Sequence, residues 1–445
     1  MNIFTIEKWQ RPHYHSTDKM SWRGVMSRIR KIDLNVCKSA LCPNLGIANS
    51  SDYVWPVYRL GYAALECGKC GSLPPLFDET EYSAWFARLM GDKLGATGLG
   101  CPRCYTTEMI HYGQTRAGSA RLQCRACRTV FTPQRLTAHQ QERVANLLRR
   151  LDAGQYDCET TAYRMLTLAV NECERRLRLP APGATSVATR IFTLPFQGRT
   201  AAEKIFVIVS ADINSGMVLQ ISTNYCTWST GEILRYRASD SEVPQHSHAC
   251  TIEQVILQEK HFMQRSQFDE IAFGSARLKQ NARGCIVRPV IAIHGHFQRL
   301  RILFPQVSDH FLAHECVLRG AAITAWSAEV RSAKTDLWFV VEDNSDCKSA
   351  AEQYRLIGTW YAGWWNNRWQ QWSQGENHKL ISPLTGQKKA LNPTQISLGA
   401  CTRFIDWLEA HPWLARSNTL SARVVSLHLV CLAQIYNQMR HQGPD

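Results

Sequence analysis

The 445-residue sequence has no apolar run long enough to span a lipid bilayer, which takes about 20 consecutive apolar residues. Its first stretch, MNIFTIEKWQRPHYH, also lacks the apolar segment and cleavage site of a secretory signal peptide. Both absences predict a cytoplasmic protein with no membrane partner. Because 45% of the residues are hydrophobic and 20% are charged, the chain can bury a sizeable core, and its length favours more than one domain.

Acidic residues are in short supply, since 37 Asp and Glu face 51 Lys and Arg and leave a net charge of +14. The excess is uneven: residues 1–200 contain 27 basic and 16 acidic residues, whereas residues 201–445 contain 24 and 21. The basic residues of the first half are mainly arginines, whose planar guanidinium suits phosphate. This pattern predicts a polyanionic partner, with nucleic acid favoured over charge that serves only solubility.

Cysteine, by contrast, is abundant, with 17 residues. Without a secretory signal, reduced thiols or metal ligands are favoured over disulfides. Nine cysteines are scattered singly, and we interpret them as small buried residues. The other eight form four pairs before residue 130, namely Cys37 with Cys42, Cys67 with Cys70, Cys101 with Cys104, and Cys124 with Cys127.

The last two pairs have the spacing of a zinc ribbon. Cys101-Pro-Arg-Cys104 and Cys124-Arg-Ala-Cys127 each leave a two-residue gap, which lets one tight turn direct both thiolates at a single Zn²⁺ ion. Nineteen residues separate the pairs, which is within the range of zinc sites. The alternative is a redox pair, but that usually occurs once, near a βαβ unit. His111 is a possible substitute ligand.

The first two pairs form a looser version of the same pattern. The four-residue gap between Cys37 and Cys42 is allowed in zinc knuckles, and Cys67-Gly-Lys-Cys70 is followed by a glycine that suits a knuckle turn. We therefore predict two tandem zinc ribbons, each with a structural Zn²⁺ ion.

Arginines surround the second quartet and are predicted to contact DNA phosphates, while the metal is structural because a unit this small buries little without it. Gln114 and Gln123 are possible base-edge readers, although plain surface residues are an alternative. The arginines are Arg103, Arg116, Arg121, Arg125 and Arg128.

Helical periodicity follows on both sides of this quartet. Residues 79–93 predict one helix, after which a glycine-rich stretch to Gly100 predicts a linker. Residues 137–153 and 158–177 predict a helix pair that fits a helix-turn-helix, with Arg164, Arg175 and Arg176 available to phosphates. A small helical linker domain is an equal alternative on the pattern alone.

The second half predicts an α/β domain, because strands alternate with helices. A hairpin is expected over residues 204–222, and residues 180–200 are interpreted as a domain boundary. Helices are expected over 251–265, 316–332 and 419–440, and over the tryptophan-rich stretch at 360–372; strands are expected over 268–273, 287–293, 300–304 and 336–341.

Residues 101–132 resemble the zinc ribbon that opens many bacterial insertion-sequence transposases. The resemblance rests on Cys101-Pro-x-Cys104, Gly113, Gly118, Arg121-x-x-Cys124-x-x-Cys127 and Phe131. It extends more weakly to residue 178 and is only architectural beyond. It implies that the ribbon and a helix-turn-helix bind transposon-end DNA, that the protein works as a homo-oligomer, and that an RNase H-like domain holds Mg²⁺ through two aspartates and a glutamate.

The resemblance also assigns candidate catalytic residues. Asp212, in IVSADINSG, matches the first acid of such a domain, although a turn residue before Asn-Ser-Gly is an equal alternative. Glu315 opens a predicted helix and is the better candidate for the third acid, with Glu329, Glu342, Asp406 and Glu409 left open. The second acid is expected at the end of the strand over 268–273, but Gly274 and Ser275 occupy that position.

Two further patterns remain. Tyr436-Asn437-x-x-Arg440-His441 resembles in part a motif that closes several transposase families, with a solvated helix end as the alternative. His294 with His296, and His310 with His314, are less favoured metal ligands, because isolated histidines usually serve as hydrogen-bonding groups.

We therefore predict a multidomain α+β protein that resembles a DDE-type transposase and cleaves and transfers DNA strands if its acids are complete. The alternative is a non-catalytic DNA-binding regulator or domesticated transposase, and a zinc-stabilised RNA-binding protein is a third interpretation. The expected parts are a basic arm at 1–35, a first zinc ribbon with a helix at 36–95, a second ribbon at 96–135, a helix-turn-helix-like segment at 136–180, an RNase H-like domain at 200–345 and a helical, tryptophan-rich region at 346–445.

Overall fold

A computed structural model describes residues 32–59, 63–156, 160–177, 183–231, 250–264, 276–343, 353–362, 366–375, 377–386 and 392–442. The basic arm, apart from its last four residues, and the strand expected at 268–273 lie outside this described part. None of the described helices is long and apolar enough to span a membrane.

The described chain is a mixed α and β structure with small sheets in its first part and one large sheet later. Its strands are β1 (Tyr53–Val57), β2 (Ala64–Cys67), β3 (Met109–Gln114), β4 (Ala120–Cys124), β5 (Val130–Phe131), β6 (Ser186–Pro195), β7 (Lys204–Asp212), β8 (Val218–Thr223), β9 (Tyr225–Cys226), β10 (Cys285–Ile286), β11 (Asp309–Ala313), β12 (Asp336–Glu342), β13 (Arg355–Ala362), β14 (Asn367–Gln374) and β15 (Asn377–Pro383). Its helices are α1 (Glu79–Thr97), α2 (Ala138–Asp152), α3 (Thr160–Arg176), α4 (Ile252–Gln264), α5 (Pro289–Leu303), α6 (Cys316–Ala325), α7 (Ser327–Arg331), α8 (Gly399–Ala410) and α9 (Ala422–Gln442).

The large sheet has eight strands in the order β13-β14-β15-β12-β11-β6-β7-β8. β6, β7 and β8 form an antiparallel meander, and β11 lies parallel to β6 with β12 parallel beside it. The antiparallel strands β15, β14 and β13 extend the sheet on the β12 side. The expected hairpin at 204–222 is therefore confirmed, but it is the second half of a meander.

Hydrophobic cores cover both faces of this sheet, which is why β7 reads as a nearly continuous apolar run. Phe206 and Ile208 pack into the core that contains α1, α5 and α6, whereas Val207 and Val209 pack into the core that contains α3, α8 and α9. A fully buried tryptophan anchors each core, Trp326 in the first and Trp413 in the second.

The central strand β6 was missed by the sequence analysis, which interpreted residues 180–200 as a boundary because of their prolines and glycines. The strand pairs along its whole length, from Val187 opposite Asp212 to Pro195 opposite Lys204. Thr189 and Arg190 interrupt the apolar pattern of this segment. It is a strand because the two cores on the faces of the sheet bury it, and that burial cannot be read from the local sequence.

Three other predicted segments were wrong. The strands expected at 287–293 and 300–304 are one helix, α5, which is buried on nearly all sides, so that its apolar run imitates a buried strand. The helix expected at 360–372 is the β13–β14 hairpin, in which Trp360 lies opposite Trp369. Aromatic residues at such cross-strand positions favour a sheet.

Helix α1 is longer than the predicted 79–93. Its first turn is capped by Asp78, whose side chain accepts from the Glu81 N–H at 2.8 Å, and it continues through the glycines of the expected linker to Gly98, whose φ of 72° ends it. Its side chains lie against α5 at Gly295, where an added Cβ would lie 2.7 Å from Trp85. This contact packs α1 tightly onto the core of the large sheet.

Candidate metal centres and nucleic-acid interface

Three of the cysteine pairs form the same tight turn. After Cys67-x-x-Cys70, Cys101-x-x-Cys104 and Cys124-x-x-Cys127, the next residue adopts a left-handed conformation with φ of 69°, 65° and 60°, respectively. The N–H of that residue donates to the carbonyl of the first cysteine at 2.7, 3.0 and 3.0 Å. The residues at these positions are Gly71, Tyr105 and Arg128.

Each quartet brings its four Sγ atoms within 4.8 Å of one another. The Sγ–Sγ distances are 3.6 Å for Cys37–Cys70 and 3.8 Å for Cys42–Cys67 in the first group, and 3.4 Å for Cys101–Cys127 and 3.5 Å for Cys104–Cys124 in the second. These are far longer than a disulfide bond of about 2.05 Å. They match the roughly 3.8 Å edge of a tetrahedron whose Zn–S bonds are about 2.3 Å long.

The donor chemistry also fits zinc. Burial raises the pKa of the Cys127 thiol, but hydrogen bonds with Thr129 and with neighbouring thiols outweigh it and lower the pKa to about 6. The pKa of Cys70 falls to about 7, where Ser72 outweighs burial in the same way, whereas burial raises the pKa values of Cys37, Cys42, Cys101 and Cys104. The thiolate is the form that binds metal. Each quartet can therefore hold a structural zinc ion, which would fix the fold of a unit with few buried side chains of its own.

The first metal centre is attached to the core of the large sheet. Arg331 at the end of α7 donates from Nη1 to the Leu45 carbonyl at 2.7 Å, and Gly46 lies against Ser327. The exposed cations of this centre are engaged, because Arg59 pairs with Glu66 at 3.0 Å and Lys69 pairs with Asp52 at 3.5 Å. Among the described residues of this centre, the charges of Arg59 and Lys69 are therefore partly neutralised.

The second metal centre presents the predicted arginines at its surface. Arg116, Arg125 and Arg128 are exposed, and Arg103 and Arg121 are half-buried. The guanidinium of Arg121 lies 5.7 Å from the ring centroid of the exposed Tyr112. Gln123 donates to the Arg128 carbonyl at 3.5 Å, and Gln114 is exposed at the end of β3. Arg125 and Arg128 flank Cys127 on the knuckle turn itself.

The predicted arginines of α3 differ in accessibility. Arg164 is exposed. Arg175, in contrast, bonds Glu172 at 2.6 Å, the Thr97 carbonyl at 3.1 Å and the Gln134 carbonyl at 2.7 Å. These contacts tie α3 to the end of α1 and to the segment that follows the second ribbon, so the Arg175 guanidinium is engaged by protein groups, although its side chain is 28% exposed.

The sheet register separates the two candidate acids. Asp212 at the end of β7 lies opposite Val187, which lies opposite His310 at the second position of β11. Glu315 follows the far end of β11, five residues past His310, which is roughly 16 Å along the strand direction. Two-metal catalysis requires ligands around ions about 4 Å apart. The structure therefore does not bring Asp212 and Glu315 to one site.

Asp212 has a local role in the turn between β7 and β8. Its Oδ2 accepts from the Ser215 N–H at 2.8 Å and from the Ser215 hydroxyl at 2.7 Å, as expected for an Asp before a tight turn. The C-terminal motif holds the same turn: Arg440 donates to the Ser215 carbonyl at 3.4 Å, and Asn437 bonds the main chain of Val218.

The first strand of the sheet, β6, contains no acidic residue. Arg190 projects from it toward α8 and donates to the Thr402 hydroxyl at 2.6 Å. Glu342, at the end of β12, accepts from the Leu398 N–H at 2.7 Å and lies 3.5 Å from the Lys379 ammonium. These contacts anchor α8 on the sheet by hydrogen bonds and charge.

The histidines proposed as metal ligands belong to no cluster: among the described residues, the two cysteine quartets are the only groups of three or more His, Cys, Asp or Glu whose ligand atoms lie within 4.8 Å of one another. His296 sits between the Ser210 and Ser222 hydroxyls at 2.8 and 3.0 Å, and burial lowers its pKa to about 3. His314 contacts Glu259 at 3.2 Å. His296 and His314 are therefore hydrogen-bonding side chains of the interior.

Comparisons with known proteins add little. No protein-family model matches the chain, and no curated protein matches it. Among solved structures, the chain is similar to a piggyBac transposase in a synaptic complex with hairpin DNA, with a TM-score of 0.26 and 10% sequence identity, over 83% of this chain and 68% of that one. A similarity at this level has no bearing on the function of this chain.

Proposed function

We propose that this chain is a transposase-like DNA-binding protein, stabilised by two structural zinc ions, whose second ribbon contacts the phosphates of DNA. The observation that carries the proposal is the Cys124–Cys127 knuckle, where Arg125 and Arg128 are exposed on a turn whose position the metal would fix. Arginines held on a rigid turn sacrifice little freedom on binding, and their charge provides sequence-independent affinity for the duplex.

We further propose that the large sheet is an RNase H-like domain that does not cleave DNA. The transposase resemblance predicts a first strand, then a hairpin, then helices, and then a strand beside the first. The observed order is similar, with β6 followed by β7–β8, α4–α5 and β11. The separation of Asp212 from Glu315 favours the non-catalytic alternative, as does Arg190 on the first strand, where a carboxylate would be needed to hold Mg²⁺.

Binding and cleavage are tested separately on the purified protein. With a labelled 30-bp duplex, we expect binding whose affinity falls steeply with salt, and about a tenfold weakening in the Arg125→Gln/Arg128→Gln double variant. An unchanged affinity in that variant would refute the ribbon interface. With Mg²⁺ or Mn²⁺ added, we expect no nicking of supercoiled DNA; nicking that disappears in Asp212→Asn would establish the enzyme instead.

A further inference from the structure

Helix α2 has a basic face that the sequence analysis did not single out. His139, Arg143, Asn146 and Arg150 are all exposed and follow one another at spacings of four, three and four residues, which places them on one side of the helix. Arg135, just before the helix, and Arg149, on its flank, are exposed as well. Residues 135–150 contain four arginines and a single acid.

The opposite side of α2 fixes which way this face points. Val144, Leu148 and Leu151 are buried in the core shared with α3 and α9. The helix start is fixed by a capping box, in which the Thr137 hydroxyl accepts from the Gln140 N–H and the Gln140 side chain accepts from the Thr137 N–H. The basic face is therefore held outward on a rigid element.

Helix α3, expected from the sequence to supply arginines to DNA, is the inner helix of the pair. It packs against α1, α2 and α9, and both Arg175 and Arg176 bond Glu172, at 2.6 and 2.9 Å. The C-terminal half of α3 thus holds its neighbours together, and although Arg164 stays exposed, the larger basic face is that of the outer helix α2.

The basic face and the second ribbon belong to one continuous surface element. Six residues separate β5 of the ribbon from α2, and within them the Gln134 N–H donates to the Ala96 carbonyl at 3.0 Å while its carbonyl accepts from Arg175. The short connection and its contacts with α1 and α3 hold the start of α2 near the ribbon.

We propose that the outer face of α2 is a second duplex-DNA contact, in which Arg143 and Arg150 bind backbone phosphates next to those held by the ribbon. The inference rests on the proposed DNA-binding function and adds to it the helix and the residues. Charge complementarity selects the partner, because Arg143 and Arg150, about 10 Å apart along the helix axis and flanked by Arg149, match the closely spaced phosphates of a duplex.

The test is the salt dependence of binding to a labelled 30-bp duplex by wild type and by Arg143→Gln/Arg150→Gln. Each arginine removed from a phosphate lowers the slope of log affinity against log salt by about one, so we expect a slope shallower by about two and at least tenfold weaker binding. Glu142→Gln, on the same helix, removes a negative charge and should bind more tightly. The single variants Arg143→Gln and Glu142→Gln, whose side chains are exposed, should leave thermal unfolding unchanged, and Arg143→Gln alone should make the slope shallower by about one.

The outcomes separate this inference from the function on which it rests. If the wild-type protein did not bind the duplex, both the proposed DNA-binding function and the α2 contact would be refuted. Wild type that binds, with an affinity that Arg125→Gln/Arg128→Gln weakens but Arg143→Gln/Arg150→Gln leaves unchanged, would overturn the α2 contact alone. An equal weakening of binding to a single-stranded or an RNA probe under the α2 substitutions would overturn the assignment to duplex DNA.

Discussion

Asn437 and Val218 lie 219 residues apart in sequence and form a closed pair of hydrogen bonds: Asn437 Oδ1 accepts from the Val218 N–H at 2.9 Å, and its Nδ2 donates to the Val218 carbonyl at 2.8 Å. Both residues are buried. The pair joins the last helix, α9, to the start of β8. The Tyr-Asn-x-x-Arg motif at the C-terminus thus has a structural function here, whatever its resemblance to transposase signatures.

The first prediction tests that function. Asn437→Ala leaves two buried main-chain groups without a partner, so we expect the free energy of unfolding to fall by about 2–4 kcal/mol, measured by urea denaturation. Met439→Ala, on the exposed side of the same helix, should change it by less than about 0.5 kcal/mol. A fully stable Asn437→Ala variant with altered DNA binding would instead place the motif at a ligand site.

The second prediction separates charge from backbone strain at Arg128, which has a φ of 60°. Glycine adopts this conformation without strain, so Arg128→Gly should keep or raise stability by up to about 1 kcal/mol while it weakens binding to DNA. Arg128→Gln removes the charge but keeps the strain, and should weaken binding equally. If Arg128→Gly bound DNA as tightly as wild type, the knuckle would not be part of the interface.

The third prediction distinguishes the two metal centres. Metal analysis of the purified protein should give two zinc ions per chain, and Cys124→Ser/Cys127→Ser should retain one. Because the arginines of the second ribbon are then no longer held on a fixed turn, DNA affinity should fall as far as in Arg125→Gln/Arg128→Gln.

Cys37→Ser/Cys42→Ser is the matched control for that experiment. It should also release one zinc ion but affect DNA affinity much less, because Arg59 and Lys69 near the first centre are already paired with acids. An equal fall in affinity in the two variants would show that the first centre is as important to the interface as the second.

The extent to which sequence anticipated structure depends on how local the determining interactions are. The cysteine quartets were predictable, because knuckle spacing is a property of six or so neighbouring residues. The helices α2 and α3 were predictable for the same reason. Arg175, however, looked available to phosphate, and only the folded chain brings the Thr97 and Gln134 carbonyls to its guanidinium.

The candidate catalytic site could not be judged from sequence, because it depends on strand order. Asp212 follows an apolar strand as the first acid of an RNase H-like domain would, and the sequence offers no sign that another strand, β6, precedes it. Because β6 precedes it, β7 is the second strand of the sheet. Asp212 then lies at the opposite end of the strands from Glu315, which follows β11. The separation from Glu315 comes from register alone.

The fourth prediction concerns His310, which is fully buried beside Trp326, with ring centroids 4.2 Å apart, and neither ring nitrogen has a hydrogen-bond partner in the described structure. Burial lowers its pKa from 6.5 to about 3. The folded protein therefore binds fewer protons than the unfolded chain between these values, and stability should fall as the pH drops from about 6.5 toward 3, by up to about 1.4 kcal/mol per pH unit from this residue.

In His310→Leu, which cannot be protonated, the free energy of unfolding measured from pH 7 to pH 5 should decline less steeply by that amount. A His310→Leu curve parallel to wild type would contradict the assignment.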